Sequence, residues 1–349
     1  MTSPFLAALR GEPHDRVPVW FMRQAGRSLP EYRELRAEHD MRTCITTPDL
    51  ATEITLQPTR RYDVDAAILF SDIVTPLEAL GIGLEIRKGV GPVIDEPFRS
   101  AADLDRLRPL EPSDDYDHVV QTVKQLVAEL DIPLIGFAGA PFTLASYLIE
   151  GGPSKNYAAT KAMMISEPAL FRDLLERLAD VAIAALTAQV QAGAGAVQLF
   201  DSWAGALTPS DYATHVLPVS RRIFDELHDL GVPGLHFGVA TGELLGLMAE
   251  AGSDVVGVDW RVPLDLARAR VPEGTGLQGN LDPTHLLAPW KIVADRVRDV
   301  LARSGGHPHY VFNLGHGVLP AADPAILAQV VQLVHAEGTV LEARGASRG

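Results

Sequence analysis

The stretch FMRQAGRSLPEYRELR, residues 21–36, places four arginines close together in a chain of 349 residues whose formal net charge is −15 at pH 7. A guanidinium group stays charged at neutral pH and forms bidentate, charge-assisted bonds with carboxylate or phosphate. The cluster is therefore a candidate site for capturing an anion locally. The alternative is that these arginines lie on an exposed helix face and pair with Glu31 and Glu34 at helical spacing.

Further polar side chains occur directly after short apolar runs, which is where a parallel sheet would gather them at one end. The positions of this kind are Arg23, Ser71, Asp72, Asp201, Ser202, Asp259, Asn280 and His316. Asp72 follows an apolar run, and in a low-dielectric pocket its single charge would act strongly. The alternative for Asp72 is that its carboxylate caps the following turn. His316 lies between glycines in NLGHG, which is atypical of a core histidine.

The stretch GFAGAPFTLASYLIEGG, residues 136–152, combines small residues with a helix opener. Its glycines and alanines would let a flat ligand approach the backbone closely. Tyr147 lies about two turns into the helix predicted after Pro141. The sequence therefore leaves two interpretations of Tyr147 open, a site residue or a structural tyrosine.

The elements that must position these residues alternate between apolar runs and helical patterns. Eight runs, mostly of continuous apolarity, are typical of strands covered on both faces. They are residues 17–21, 65–70, 133–137, 194–200, 232–237, 254–259, 275–278 and 309–314. This order predicts a single (β/α)8 TIM barrel spanning residues 1–349, with an inserted β-hairpin at residues 84–94 after the second strand. A doubly wound open sheet is the alternative.

Helix signals separate the runs. Ser28 followed by Glu31 predicts a capping box, and residues 167–191 predict one long helix that stops at Gly193. The glycines of AGAGA, residues 192–196, precede a strand, so they are in the wrong order for a dinucleotide-binding loop.

Composition excludes several classes of function. The acidic charge argues against a general nucleic-acid binder and against adsorption to anionic membranes. The single cysteine, Cys44, excludes an internal disulfide and a multi-cysteine zinc site. The sequence has no HExxH, no P-loop, no signal-peptide pattern and no clean apolar run of membrane-spanning length. We therefore expect a soluble, cytoplasmic protein with no metal and no organic cofactor.

Taken together, these stretches resemble the uroporphyrinogen decarboxylase family over nearly the whole chain. PVWFMRQAGR is similar to the N-terminal signature of the family and GFAGAPFTLASYLIEGG to its second signature. FSDI, QLFDSWAG, GVDW, LQGNLDP and NLGHG resemble its remaining landmarks in the same order. Two departures are visible: Asp201 stands where glutamate is common, and HFGVATG replaces a lysine-containing loop.

The resemblance implies a cytoplasmic enzyme of haem biosynthesis, usually a homodimeric barrel, that needs no metal or organic cofactor. Its substrate would be uroporphyrinogen III (or I), whose four acetate arms are decarboxylated to give coproporphyrinogen III. By motif position, the resemblance assigns catalytic roles to Arg23, Asp72, Tyr147 and His316. It assigns substrate binding to Arg23, Gln24, Arg27, Arg36, Asp72, Phe137, Tyr147, Phe200, Ser202 and His316.

Two other hypotheses stay open at this point. Corrinoid-dependent methyltransferases of the same superfamily have a similar fold but use zinc held by histidine and cysteine, and this chain has no cysteine near a predicted strand end. A porphyrinogen carrier without turnover is the second. The proton donor of the reaction is also open between Tyr147, His316 and a water bound by arginine.

Overall fold

The barrel wall of the computed structural model, which describes residues 3–87 and 91–341, is a curved sheet of seven parallel strands in the order β1-β4-β5-β6-β7-β8-β9. The strands of the described residues are β1 (Ala67–Ile68), β2 (Leu84–Arg87), β3 (Gly91–Ile94), β4 (Leu134–Gly139), β5 (Ala196–Asp201), β6 (Gly234–Gly238), β7 (Val255–Gly257), β8 (Gly276–Leu281) and β9 (Tyr310–Leu314). Every residue of the seven wall strands is buried, as expected for a parallel sheet that helices cover.

Helices follow the strands and pack around them. The α-helices are α1 (Pro4–Leu9), α2 (Pro30–Glu38), α3 (Met41–Thr46), α4 (Pro48–Arg61), α5 (Thr75–Ala79), α6 (Pro112–Asp115), α7 (Asp117–Glu129), α8 (Pro141–Glu150), α9 (Ala158–Ser166), α10 (Pro168–Gln191), α11 (Pro209–Asp211), α12 (Leu217–His228), α13 (Leu245–Glu250), α14 (Leu264–Arg268), α15 (Trp290–Ser304) and α16 (Pro324–Glu337). Short 3₁₀ turns cover Ala101–Arg106, Ala204–Ala206 and Pro283–Leu287, and a π turn covers Tyr212–Val216. Proline opens many of these helices because the first turn needs no N–H from it.

The first predicted strand, residues 17–21, forms a single parallel bridge rather than a regular strand. Val19 pairs with Phe312 of β9, whose N–H donates to the Pro18 carbonyl at 2.9 Å. On the other side, the N–H of Asp65 donates to the Val19 carbonyl at 2.8 Å, just before β1. Pro18 lacks an N–H, which limits the ladder here. The segment therefore lies between β9 and β1 and closes an α/β barrel, as the sequence predicts, with seven regular strands in place of eight.

The inserted hairpin is present after β1. Its strands β2 and β3 are antiparallel, and Leu84 pairs with Ile94. The N–H of Ile94 donates to the Gly151 carbonyl at 2.9 Å, which ties the hairpin to the end of α8. Residues 88–90 of the predicted hairpin lie outside the described residues.

The helix signals gave one correct and one wrong expectation. Helix α10 agrees with the predicted long helix, and Gly193, directly after the C-cap residue Ala192, has a φ of 117°. The capping box at Ser28 is wrong, because α2 begins at Pro30 after Leu29 and no side chain caps it. The Glu31 carboxylate instead accepts two hydrogen bonds from the Arg61 guanidinium, at 3.0 and 2.9 Å.

Candidate active site

Four of the residues singled out from the sequence lie at one end of the barrel. Asp72 follows β1, Ser202 follows β5 and His316 follows β9. Arg23 follows the segment at residues 17–21, which runs parallel to β9. Since the carboxyl ends of parallel strands share one face, these side chains surround the barrel mouth, where (β/α)8 enzymes place their active sites.

Arg23 is held in an unusual backbone conformation. Its φ of 59° is in the left-handed region, and the N–H of Gln24 closes the turn by donating to the Phe21 carbonyl at 2.9 Å. The exposed side chain of Arg23 runs across Gly317, where any Cβ would collide with the Arg23 methylenes. Gly317 therefore lets the guanidinium stem pass directly beside His316.

Asp72 both caps a turn and faces the mouth. Its Oδ1 accepts from the N–H of Val74 at 3.1 Å, while Oδ2 accepts no hydrogen bond within the part of the chain that the structure describes. Burial raises the pKa of Asp72, and the Val74 N–H, the Arg23 charge and the Ile73 N–H oppose that rise. Part of the side chain remains accessible. The two interpretations of Asp72 are therefore compatible, because one oxygen serves the turn and the other is available.

Tyr147 projects from α8 beside Trp203. The two ring centroids are 3.9 Å apart with an interplanar angle of 34°. Burial raises the pKa of Tyr147 well above its usual range, and the negative charge of Asp72 raises it further. The phenol consequently keeps its proton at neutral pH and can donate a hydrogen bond.

His316 is poised as a neutral imidazole. Its Nδ1 accepts from the N–H of Gly317 at 2.7 Å, so the ring proton of the neutral form lies on Nε2. Burial lowers the pKa of His316 to about 4, and the Arg23 charge contributes to the lowering. At neutral pH this side chain is therefore an uncharged N–H donor.

Phenylalanines line the inside of the barrel below these polar groups. Phe137 and Phe200 pack edge to face with centroids 5.4 Å apart, and Phe200 packs on Phe237 at 6.0 Å. Phe237 in turn lies 6.4 Å from the His316 ring. Phe137 and Phe200 keep 8% and 9% of their surface exposed, so the aromatic layer can meet a flat apolar ligand.

Gln24 occupies a different place from the arginines around it. It is 1% exposed, its Oε1 accepts from the Phe21 N–H at 3.0 Å, and its Nε2 donates to the Ala66 carbonyl at 3.1 Å. These bonds link the closing segment to the residue before β1. The geometry favours a positioning role for Gln24 over direct contact with a ligand.

The arginines are not paired with the carboxylates that the alternative interpretation requires. No ion pair joins Arg23, Arg27 or Arg36 to any carboxylate among residues 3–87 and 91–341. Arg27 is exposed, and Arg36 is half-buried with one N–H donated to the His39 carbonyl. In an acidic protein, three unpaired guanidinium groups are available for an external anion.

The structure adds residues that sequence reasoning did not single out. Trp203 packs on both Tyr147 and Tyr157, the second at 5.2 Å between centroids. Arg261 stacks on Trp260 at 4.0 Å, and the Trp260 ring lies 6.4 Å from that of His316. In the sequence, the only indication of these two tryptophans was their place in the motifs FDSWAG and GVDW.

Within the described residues, there is no cluster of three or more His, Cys, Asp or Glu side chains that could hold a metal, and none of the helices has the length and apolarity to cross a membrane.

Comparison with solved structures supports the fold. A methyltransferase from Methanosarcina mazei superposes with a TM-score of 0.77 at 19% identity, covering 95% of this chain and 97% of the other. A B12-independent methionine synthase from Shewanella sp. W3-18-1 gives a TM-score of 0.56 at 13% identity, covering 83% and 88%. At such low identity these similarities concern the barrel architecture alone.

Sequence comparison is far more specific. The family model described as uroporphyrinogen decarboxylase matches residues 1–337. A uroporphyrinogen decarboxylase of Thermobifida fusca is 58% identical over 336 residues, covering 96% of this chain and 93% of its own length. One of Streptomyces griseus subsp. griseus is 59% identical, covering 95% and 91%. With nearly the whole chain matched at this identity, the chain belongs to the uroporphyrinogen decarboxylase family.

Proposed function

We propose that this protein is a carboxy-lyase that converts the four acetate side chains of uroporphyrinogen III to methyl groups, giving coproporphyrinogen III in tetrapyrrole biosynthesis. Family membership supports the reaction. The observation that carries the site is the combination of unpaired arginines with one available carboxylate oxygen, on Asp72, above an aromatic layer. That combination suits a flat, polyanionic ligand with N–H groups at its centre.

Arg23, Arg27 and Arg36 form what we call the arginine clamp, which binds substrate carboxylates. A chain of charge −15 repels a polycarboxylate at long range, so attraction must be local. Guanidinium groups provide it through bidentate bonds and remain charged throughout the physiological pH range. Ser202 beside the mouth adds a hydroxyl that can donate to a carboxylate or accept from an N–H.

Asp72 accepts hydrogen bonds from pyrrole N–H groups through Oδ2 and stabilises a cationic ring. Protonation of a pyrrole ring carbon creates that cation. The bond to the carboxylate then breaks, CO2 leaves, and its electron pair neutralises the ring as an exocyclic methylene forms. A proton added to the methylene carbon and loss of the ring-carbon proton complete the methyl group, with one proton consumed per arm. A fixed negative charge beside the cation is a preorganised electrostatic contribution.

The proton donor stays a choice between three groups. Tyr147 keeps its proton at neutral pH, and His316 is mostly neutral because its pKa is about 4. Each can orient a carboxylate or a water molecule by donating a hydrogen bond. A water held by Arg23 is the third, since arginine itself is too weak an acid.

Anaerobic incubation of the purified protein with uroporphyrinogen III tests the proposal. After dialysis and chelation of metals, we expect coproporphyrinogen III, with hepta-, hexa- and pentacarboxylate intermediates, measured by chromatography of the oxidised porphyrins. Activity that is lost on chelation and restored by zinc would favour the methyltransferase-like hypothesis. Binding of the substrate without release of CO2 would favour a carrier.

Two finer expectations follow from the family resemblance. We propose a homodimer, which sedimentation velocity at micromolar protein concentration would detect as a species of twice the 37.6 kDa chain mass. We also propose a cytoplasmic location, which fractionation of the source cells would test.

A further inference from the structure

The loop that carries Ser202 is tied to a buried carboxylate behind the barrel wall. Asp201, the last residue of β5, is fully buried, and its Oδ1 accepts from the Thr143 hydroxyl at 2.9 Å. The same Thr143 oxygen accepts from the backbone N–H of Trp203 at 3.2 Å. One hydroxyl therefore joins the end of β5, helix α8 and the loop at the mouth.

The direction of these bonds is fixed by chemistry. The Thr143 hydroxyl has a single proton, which it donates to the Asp201 Oδ1. The lone pairs of Thr143 are then left for the Trp203 N–H. Thr143 is itself fully buried, so water cannot replace its hydroxyl, and losing the hydroxyl costs free energy because its partners are left without a hydrogen bond.

Trp203 transfers this constraint to Tyr147. Thr143 and Tyr147 are four residues apart on α8, and side chains at that spacing lie on one helix face. The Trp203 backbone is held by Thr143, and its indole ring packs on the Tyr147 ring at 3.9 Å. The Tyr147 ring therefore packs against the Trp203 ring, whose backbone is held by Thr143, and Thr143 is in turn bonded to Asp201.

We propose that Asp201, Thr143 and Trp203 form a positioning relay that fixes Tyr147 for the decarboxylation reaction. The proposal rests on the proposed function, in which Tyr147 contacts substrate. Asp201 and Thr143 are fully buried and act through Trp203, so neither is a catalytic residue. If the relay exists, removing the Asp201 or Thr143 side-chain contacts changes kcat only in a protein that retains the Tyr147 hydroxyl.

A double-mutant cycle between Thr143→Val and Tyr147→Phe tests the relay. Valine keeps the shape of threonine and removes the hydroxyl. We expect kcat to fall by about 3- to 10-fold, the size of effect expected when the neutral hydrogen bond that holds the Trp203 N–H is lost, with KM changed less than about twofold. Thr143→Ser, which restores the hydroxyl, should recover most of the loss. In the Tyr147→Phe background, Thr143→Val should lower kcat no further.

Thr122→Val is the matched control. Thr122 is also buried, at 1% exposed, and its hydroxyl donates within its own helix α7 to the His118 carbonyl at 2.8 Å. Its loss should lower the melting temperature without lowering kcat. If Thr143→Val does not fold, Trp203→Leu replaces it in the cycle, because leucine keeps the backbone bond and removes the ring that packs on Tyr147.

The outcomes separate the two proposals. A kcat loss that disappears in the Tyr147→Phe background supports the relay. Equal kcat values for the Thr143→Val and Thr122→Val variants, or the same fold-loss with and without the Tyr147 hydroxyl, would overturn the relay alone. A wild-type protein that turns over no uroporphyrinogen would overturn the proposed function, and the relay with it.

Discussion

At the scale of single residues, the two oxygens of Asp72 have separate tasks, and an asparagine substitution separates them. Asparagine keeps one oxygen as the acceptor for the Val74 N–H. It replaces the available oxygen by an NH2 group, which cannot accept from a pyrrole N–H, and it has no negative charge for the cationic ring. We expect Asp72→Asn to lower kcat by about 10²- to 10³-fold, a typical cost of removing one preorganised group, with a smaller change in affinity. The measurement is kcat and KM together with the melting temperature. Asp72→Glu should also lose turnover because its carboxylate is displaced.

Asp323→Asn is the control for the turn. The exposed Asp323 at the start of α16 accepts from the N–H two residues later, at 2.8 Å, as Asp72 does from Val74. This substitution should leave kcat unchanged. A folded Asp72→Asn variant with near-normal kcat would limit Asp72 to the turn.

Arg36 offers a test of the arginine clamp. Arg36→Met keeps the apolar stem and removes the charge, so we expect KM to rise about 10- to 150-fold, corresponding to a bond to a charged group, with less change in kcat. Salt should inhibit the wild type more than the variant. Arg33→Met on the same helix is the control for loss of a guanidinium group outside the clamp. The Arg33 guanidinium donates to the backbone carbonyls of Arg27 and Ser28, at 2.9 and 3.1 Å. An unchanged KM in Arg36→Met would show that Arg36 does not bind substrate and serves only through its hydrogen bond to the His39 carbonyl.

His316 makes a prediction about acid stability. Its folded pKa of about 4 is below the ordinary value of 6.5, so the folded state favours the neutral ring. The stability from this group is fully present above pH 6.5 and is lost as the pH falls towards 4, by about 1.4 kcal/mol per unit and about 3 kcal/mol in all. His316→Asn should therefore have a shallower decline of unfolding free energy over this range, measured by urea denaturation. His228→Asn, at an exposed position on α12, is the control, and a decline equal to that of the wild type in His316→Asn would contradict the assignment.

The sequence predicted the residues at the barrel mouth wherever a polar residue follows an apolar run. Asp72, Ser202 and His316 each follow an apolar run, and parallel strands bring such positions to one face. The buried position of Gln24 and the packing of Trp203 on Tyr147 were not predictable, because they depend on contacts between segments far apart in the chain. The Ser28 capping box failed because a local pattern was outweighed by a tertiary bond from Arg61 to Glu31.

At the scale of elements, the loop after β5 depends on one glycine. A Cβ on Gly205 would collide with the Val239 carbonyl oxygen and with the backbone of Ala240, in the loop after β6. Gly205→Ala should lower the unfolding free energy by about 1–3 kcal/mol and also reduce kcat, because Ser202 and Trp203 lie in the displaced loop. Denaturant unfolding and steady-state kinetics provide the measurements.

Gly195→Ala is the matched control on the other side of β5. Its Cβ would meet Pro133 at an ordinary 3.6 Å, so the expected change is within about 0.5 kcal/mol. Equal effects of the two substitutions would show that the approach of the loops after β5 and β6 is adjustable.

Element boundaries were predictable to the extent that one chain segment determines them. The long helix α10 has its own periodicity and a glycine stop, and it was predicted within one residue. The run at residues 17–21 has strand composition, yet Pro18 and the short contact with β9 leave it as a single bridge. Apolarity indicates that a segment is buried in a barrel wall, whereas the number of ladder bonds depends on the neighbouring strands.

At the scale of the whole molecule, Asp65 fastens the closing segment to the rest of the barrel. Its carboxylate contacts Arg16 at 2.7 Å, the Val19 N–H at 2.7 Å and His335 of α16 at 2.9 Å. Burial raises the pKa of Asp65, but the bonds from His335, Arg16 and Val19 together bring it below its ordinary value. The stability that the carboxylate supplies is therefore present above its unfolded pKa of 3.8 and is lost as the pH falls through the lower folded value.

Asp65→Asn should consequently lower the unfolding free energy at pH 7 by about 3 kcal/mol, since it breaks a buried ionic cluster. Asp63→Asn is the control, because the Asp63 side chain is 97% exposed and lies 4.0 Å from His335. Urea denaturation at pH 7 measures both. A loss no larger than that of Asp63→Asn would show that the barrel closes without the Asp65 cluster.

The bridge between Val19 and Phe312 has a consequence for how the protein is made. A ribosome adding about 5 to 20 residues per second needs roughly 15 to 60 s between synthesis of these two partners. During that interval the nascent chain carries an open sheet whose unpaired edge is a template for aggregation. Arg23 and His316 are far apart in the sequence, so no nascent chain that stops before His316 holds a complete site. The site therefore forms only after His316 has been synthesised, and chaperones that shield sheet edges should raise the yield of active protein.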